Sequence, residues 1–175
     1  MNRSLTVGLL LLALASLPAS SGATSCACQG SFLENAAKAD LIVRGMPEEL
    51  VGTWGNGVPR YAKIRIVEVL KGEPPADFVV VEGDDGMSLR RYASHFQPFT
   101  DWLLALRLSH LLREDGKEAR IYHVSVCGSY AVRIEKDTIF QSGGCVEPAA
   151  GMPLAEFTRR LAEALQDEKG RRPTP

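Results

Sequence analysis

The sequence predicts a mainly β domain, a small antiparallel barrel or sandwich followed by one helix. Three observations predict it. Tyr61–Lys71 alternates in polarity, Phe78–Glu82 is an unbroken β-branched run, and the short apolar stretches are separated by glycine-rich turns with no βαβ alternation. The apolar positions Leu154, Phe157, Leu161 and Leu165 recur at helical spacing after Pro153, which starts the terminal helix.

Along the chain, Ser31–Lys38 reads as a short helical turn, with Phe32, Asn35, Ala36 and Ala39 on one face. Ala39–Gly45 reads as a strand ending at its glycine. Gly52–Pro59 reads as a loop, Tyr61–Lys71 and Phe78–Glu82 as strands, and Gly83–Gly86 as a turn. Trp102–Leu108 is a further apolar strand. Arg113–Lys117 forms a hairpin tip, and Ile121–Val126, Tyr130–Ile134 and Thr138–Gln141 complete the β elements. Pro148–Pro153 breaks the chain before the helix, and Asp167–Pro175 reads as a polar, proline-containing tail. With Thr138–Gln141 as one short strand more, the body has five or six strands, a count that a five-stranded Greek-key barrel of the OB type accommodates.

The first 23 residues have the parts of a secretory leader: Arg3, the apolar run Leu5–Leu17, and a small-residue region ending in Ser21-Gly22-Ala23. Cleavage after Ala23 leaves Thr24 first; cleavage after Ser25 leaves Cys26 first. The apolar run is too short to span a bilayer comfortably. The organisation read from the sequence is therefore a leader over 1–23, a single domain over 24–166 and a tail over 167–175. The expected location is secreted or periplasmic. A lipid anchor on Cys26 is the alternative, with Ala23 standing where the lipidation motif carries leucine.

Twenty Lys and Arg face 21 Asp and Glu, a formal net charge of −1. That balance argues against nonspecific nucleic-acid binding, which needs a basic surface. The four cysteines, Cys26, Cys28, Cys127 and Cys145, read as disulfide partners in an oxidising compartment. A Cys26–Cys28 bond would close a very tight ring, so both are expected to reach Cys127 and Cys145. Each such bridge closes a loop of about a hundred residues, worth roughly 4–5 kcal/mol by chain entropy.

Several features in order form a pattern. Cys26-Ala27-Cys28 precedes a short helix and Ala39-Asp40-Leu41-Ile42-Val43-Arg44-Gly45. Tyr61–Gly72 follows, then Trp102-Leu103-Leu104-Ala105-Leu106 ahead of Cys127. This pattern resembles the netrin-like module, and most closely the N-terminal domain of tissue inhibitors of metalloproteinases with its bacterial relatives. The resemblance covers roughly residues 26–130. It implies an OB barrel with flanking helices, and pairing of Cys28 with Cys127 and Cys26 with Cys145, or the reverse. It also implies that the α-amine and carbonyl of Cys26 clamp a protease's catalytic zinc while Ala27 enters its specificity pocket. The sequence departs from the family between Gly86 and Phe99, where a usual cysteine is missing, and lacks the second disulfide-rich domain of the animal inhibitors.

No G-x-S-x-G, H-E-x-x-H or phosphate-cradling glycine loop occurs. His95, His110 and His123 share no short metal spacing, and Glu82-Gly83-Asp84-Asp85 reads as a solvated acidic turn. Trp54, in a glycine-rich loop, is a candidate anchor for a partner. The sequence thus predicts a binding module and not an enzyme, with no cofactor or metal of its own. Its expected partner is a protein, most concretely a zinc metalloproteinase. The alternative is a structural or envelope-associated protein without inhibitory activity.

Overall fold

The computed structural model describes residues 29–114, 117–140 and 148–171. The leader, the Cys26-Ala27-Cys28 segment and Cys145 lie outside these residues.

Helix α1 (Phe32–Ala36) starts at a capping box. The Glu34 amide donates to Ser31 Oγ, and Glu34 Oε2 accepts the Ser31 amide at 2.6 Å. Phe32, Asn35, Ala36 and Ala39 are all buried, as their helical spacing predicts.

Strand β1 (Leu41–Thr53) pairs with β2 (Pro59–Lys71) along its length, from Ile42↔Lys71 to Thr53↔Pro59. It does not stop at Gly45. A Cβ there would sit 2.8 Å from the Arg65 carbonyl oxygen, and the register shifts between Arg44 and Gly45. The glycine marks a bulge and a close backbone approach, not a strand end.

β2 pairs antiparallel with β3 (Phe78–Glu82), and β3 pairs parallel with β5 (Lys117–His123). β5 pairs antiparallel with β4 (Asp101–Glu114), and β4 returns to β1 from Leu41↔Leu106 to Gly45↔Trp102. That last pairing closes a five-stranded barrel in the order β1-β2-β3-β5-β4. The fold is mainly β and OB-like, as predicted.

Strands β6 (Ala131–Glu135) and β7 (Thr138–Phe140), close to the stretches Tyr130–Ile134 and Thr138–Gln141 read from the sequence, extend the sheet from the first half of β4 to seven strands. β6 and β7 join through a tight turn at Lys136 and Asp137, both with positive φ. β4 runs beyond Leu108 to Glu114 because β5 pairs with its distal half.

The barrel interior is filled by Leu41, Val43, Ile64, Val79, Val81, Leu104 and Leu106 together with their neighbours. Leu103 and Ile42, on the alternate positions of their strands, are equally buried. A strand buried on both faces must be covered outside. The covering layer is α1 and helix α2 (Leu154–Arg171), joined where Phe32 meets Phe157 at 5.6 Å and an interplanar angle of 59°. α2 continues through Asp167 to Arg171, where the sequence suggested a tail. Glu168 approaches Lys71 Nζ at 3.9 Å, and Lys71 also donates to the Ala37 carbonyl at 2.8 Å. The last turns of α2 are thereby tied to the end of α1.

Candidate functional site

The site predicted at the N-terminus is approached in the structure from its described neighbours. Asn35 is 1% exposed, and its amide group organises the seam. Asn35 Nδ2 donates to the carbonyls of Gln29 at 2.8 Å, Gly30 at 3.2 Å and Ser129 at 3.3 Å. The Ser129 amide donates to Gly30 O at 3.3 Å. Gly128, at φ 148°, sits so close that an added Cβ would clash with Gln29 O and lie 2.7 Å from Asn35 Nδ2. Residue 29 therefore lies against residue 128, one position downstream of Cys28 and Cys127 respectively. Cys127 is disulfide-bonded. The other three cysteines, and Ala27, fall outside the described residues.

A second segment runs beside this seam. The Arg91 amide donates to Val124 O at 2.8 Å, the Val126 amide donates to Leu89 O at 3.3 Å, and Arg90 bridges Ser125. The loop after β3 is thus laid along residues 124–126, immediately before Cys127. It carries Met87, 92% exposed, and Leu89, 45% exposed. The tip of this loop is stiffened by Asp84 and Asp85. Asp84 Oδ1 accepts the Gly86 amide at 2.7 Å, and Asp85 Oδ1 accepts the Met87 amide at 2.9 Å. The Met87 amide, then the Ser88 hydroxyl, hold the Asp85 carboxyl below its usual range. Asp84 is buried at this turn, where the sequence suggested a solvated tip.

Trp54 sits on the loop between β1 and β2. It is half-buried, with the Arg60 guanidinium 4.3 Å from its ring centroid. Arg60 in turn reaches Glu82 Oε1 at 3.2 Å.

Glu82, read from the sequence with a solvated acidic turn, is buried instead. It is 3% exposed, and its carboxylate gathers Arg60, Arg90 and Ser109 Oγ, the last at 3.3 Å. His110 Nδ1 lies 3.7 Å from it. A register shift between Leu108 and His110 turns Ser109 and His110 toward this carboxylate. His123 pairs with Glu82 in β3 and with Arg107 in β4, and its Nδ1 is buried without a hydrogen-bond partner among the described residues. His95 lies elsewhere, edge-on to Tyr92 at 5.9 Å. Among the described residues no group of three His, Cys, Asp or Glu is placed to hold a metal ion.

Two histidines set a pH dependence. Burial, then Arg90 and Arg107, hold His123 below its ordinary value of 6.5; burial, then Arg91, does the same to His95. The unfolded chain therefore takes up protons first as pH falls through 6.5, and stability falls with it. Above that pH the two histidines contribute no slope. The hydrogen-bonded carboxylates Glu34, Asp85 and Glu156 also have lowered values, and their contribution is lost only at lower pH. The Tm is expected to be level from pH 8 to 7 and to fall from pH 7 toward 5. His123→Phe removes an unpaired buried nitrogen and is expected to flatten that fall. An unchanged slope in thermal melts of the variant would exclude His123 as its source.

No protein-family model and no curated protein matches this chain. Among the described residues no helix is long and apolar enough to cross a membrane.

Proposed function

We propose that this chain is an exported netrin-like binding module whose mature N-terminal edge, Cys26-Ala27-Cys28, engages a protein partner, most concretely a zinc metalloproteinase. The observation that carries this reading is the seating of Gln29 and Gly30 against Gly128 and Ser129. It brings the residues next to Cys28 and Cys127 together, which supports a Cys28–Cys127 bridge and leaves Cys26 for Cys145. A bridge there holds the leading residues as a fixed edge, so binding does not spend free energy on ordering them. The loop beside the seam adds Met87 and Leu89 as apolar contact surface adjoining that edge.

The chemistry asked of Cys26 is specific. A catalytic zinc keeps one coordination position for water or substrate. A neutral α-amine and the carbonyl oxygen of one residue chelate it only if Cys26 is the first residue. Thr24-Ser25 ahead of it would turn the amine into an amide without a usable lone pair. The test uses two forms of the oxidised protein, one starting at Cys26 and one at Thr24, each assayed against a panel of zinc metalloproteinases. The Cys26 form is expected to slow at least one enzyme, with the Thr24 form at least about a hundredfold weaker, a loss on the scale of a severed metal-ligand contact. If the Cys26 form slows none of them, or the two forms are equal, the zinc-clamping reading fails.

A further inference from the structure

The loop after β3 forms a strap that is pinned at both ends. At its start the Gly83 amide donates to Arg60 O at 2.7 Å, and a Cβ added to Gly83 would sit 2.4 Å from the Ala93 amide nitrogen. At its far end a single 3-10 turn (Ala93–His95) leads to Phe96, which is buried and meets Trp102 edge-on at 5.5 Å. Between these pins, residues 84–91 are held to residues 124–126 by few contacts. The Arg91 amide donates to Val124 O, the Val126 amide donates to Leu89 O, and Arg90 bridges Ser125 and forms the ion pair with Glu82. A segment held by two backbone hydrogen bonds and one ion pair opens at a lower cost than the ladders of the barrel. Residues 124–126 run straight into Cys127, which is disulfide-bonded, so of the two segments the strap is the one that can leave.

The joint is built on an excess of positive charge. The buried Glu82 carboxylate from β3 serves Arg60 of β2 and Arg90 of the strap at once, with His110 Nδ1 of β4 3.7 Å away. His123 ends β5 beside this cluster. It pairs directly with Glu82 on one side and with Arg107 of β4 on the other, and it also feels the charges of Arg90 and of Asp40, which precedes β1. Two carboxylates thus face three arginines and two imidazoles before any proton is added. His123 Nδ1 is buried without a hydrogen-bond partner among the described residues. An imidazolium carries a proton on both ring nitrogens, and the one on Nδ1 would have neither water nor an acceptor while the strap is closed. Lifting the strap takes Arg90 away from His123 and lets water reach the ring.

We propose that residues 84–91 form an acid-released strap: protonation of His123 opens them from residues 124–126 while the barrel stays closed. The open form takes up a proton that the closed form resists, so acid favours opening and neutral pH favours closure. One such proton changes the opening equilibrium by at most about tenfold per pH unit. Opening uncovers the strip next to Cys127 and swings away the segment that carries Met87 and Leu89. Release of the strap is independent of what the leading cysteine edge binds.

Native-state amide hydrogen exchange of the full oxidised protein, followed by NMR at pH 7 and pH 5, reads the strap directly. Protection factors remove the intrinsic pH dependence of exchange. The reporters are the Arg91 and Val126 amides at the joint, and the Ala105 amide, which donates to Tyr130 O at 2.8 Å in the middle of β4. At both pH values Arg91 and Val126 are expected to be at least about tenfold less protected than Ala105, the mark of a local opening. Their protection is expected to fall by about fivefold or more from pH 7 to pH 5. His123→Phe and His123→Gln, each checked for folding by unchanged chemical shifts away from β5, are expected to hold that fall to about twofold or less. The proposal is overturned if Arg91 and Val126 are as protected as Ala105, if their protection is the same at the two pH values, or if a folded variant keeps the parent's fall.

Discussion

Gly128→Ala is expected to destabilise the protein by about 3 kcal/mol or more, among the largest effects available to one methyl group here. Two causes act together. The backbone at φ 148° is a conformation that side-chain-bearing residues rarely adopt. The added Cβ would also press on the Gln29 carbonyl oxygen and would lie 2.7 Å from Asn35 Nδ2 and 3.1 Å from Tyr130 Cε2. Asn35 cannot retreat, because its amide is held by three carbonyls and is buried. The seam must open instead. Gly151→Ala separates the two causes: Gly151 has φ 86° and nothing within 4 Å of an added Cβ. Its cost is expected to be about 1 kcal/mol, from backbone strain alone. Urea unfolding of the oxidised proteins measures both. Equal losses in the two variants would mean that the crowding at the seam carries no energy.

The same variant bears on function. If the leading cysteine edge is positioned by the seam, opening it weakens partner binding even where the disulfides remain intact. The comparison is between Gly128→Ala and Gly151→Ala at a temperature where both are folded.

What the sequence made legible was what depends on local periodicity. Tyr61–Lys71 and Phe78–Glu82 were readable because alternation and β-branching report the strand directly, and the α1 face was readable because four buried residues recur at helical spacing. β1 was misread as ending at Gly45 because glycine followed by Pro47 reads locally as a break; the pairing that carries it through comes from β2, about twenty residues later. For Trp54 the sequence shows only a glycine-rich loop, and the Arg60 guanidinium that lies against its ring comes from the returning strand. Asn35 fitted the helical pattern, but nothing near it in sequence reveals the carbonyl of Ser129, 94 positions away. A polar residue inside an apolar helical face was the available signal. Glu82 had a similar signal, a charge closing a fully apolar strand, but its partners come from β2, the loop after β3, and a bulge in β4.

Glu82→Ala tests that cluster. Removing one member of a fully buried ion pair costs about 3–5 kcal/mol, because the remaining charge is left without water or partner. Here Arg60 and Arg90 have side chains 38% and 28% exposed, so water can take up part of their charge. The expected loss is therefore smaller, about 2–3 kcal/mol, and Glu82→Gln, which keeps an acceptor oxygen, is expected to lose about half as much. A second consequence follows at His123. Glu82 opposes the depression that burial, Arg90 and Arg107 impose on this imidazole. Without the carboxylate, His123 stays neutral to lower pH, and the histidine-linked fall in stability between pH 7 and 5 becomes steeper. Denaturant unfolding gives the first quantity, and NMR titration of the His123 ring gives the second. A variant as stable as the parent, with an unshifted His123 titration, would show that the arginines and the bulged Ser109-His110 pair hold this end of the barrel without their central carboxylate.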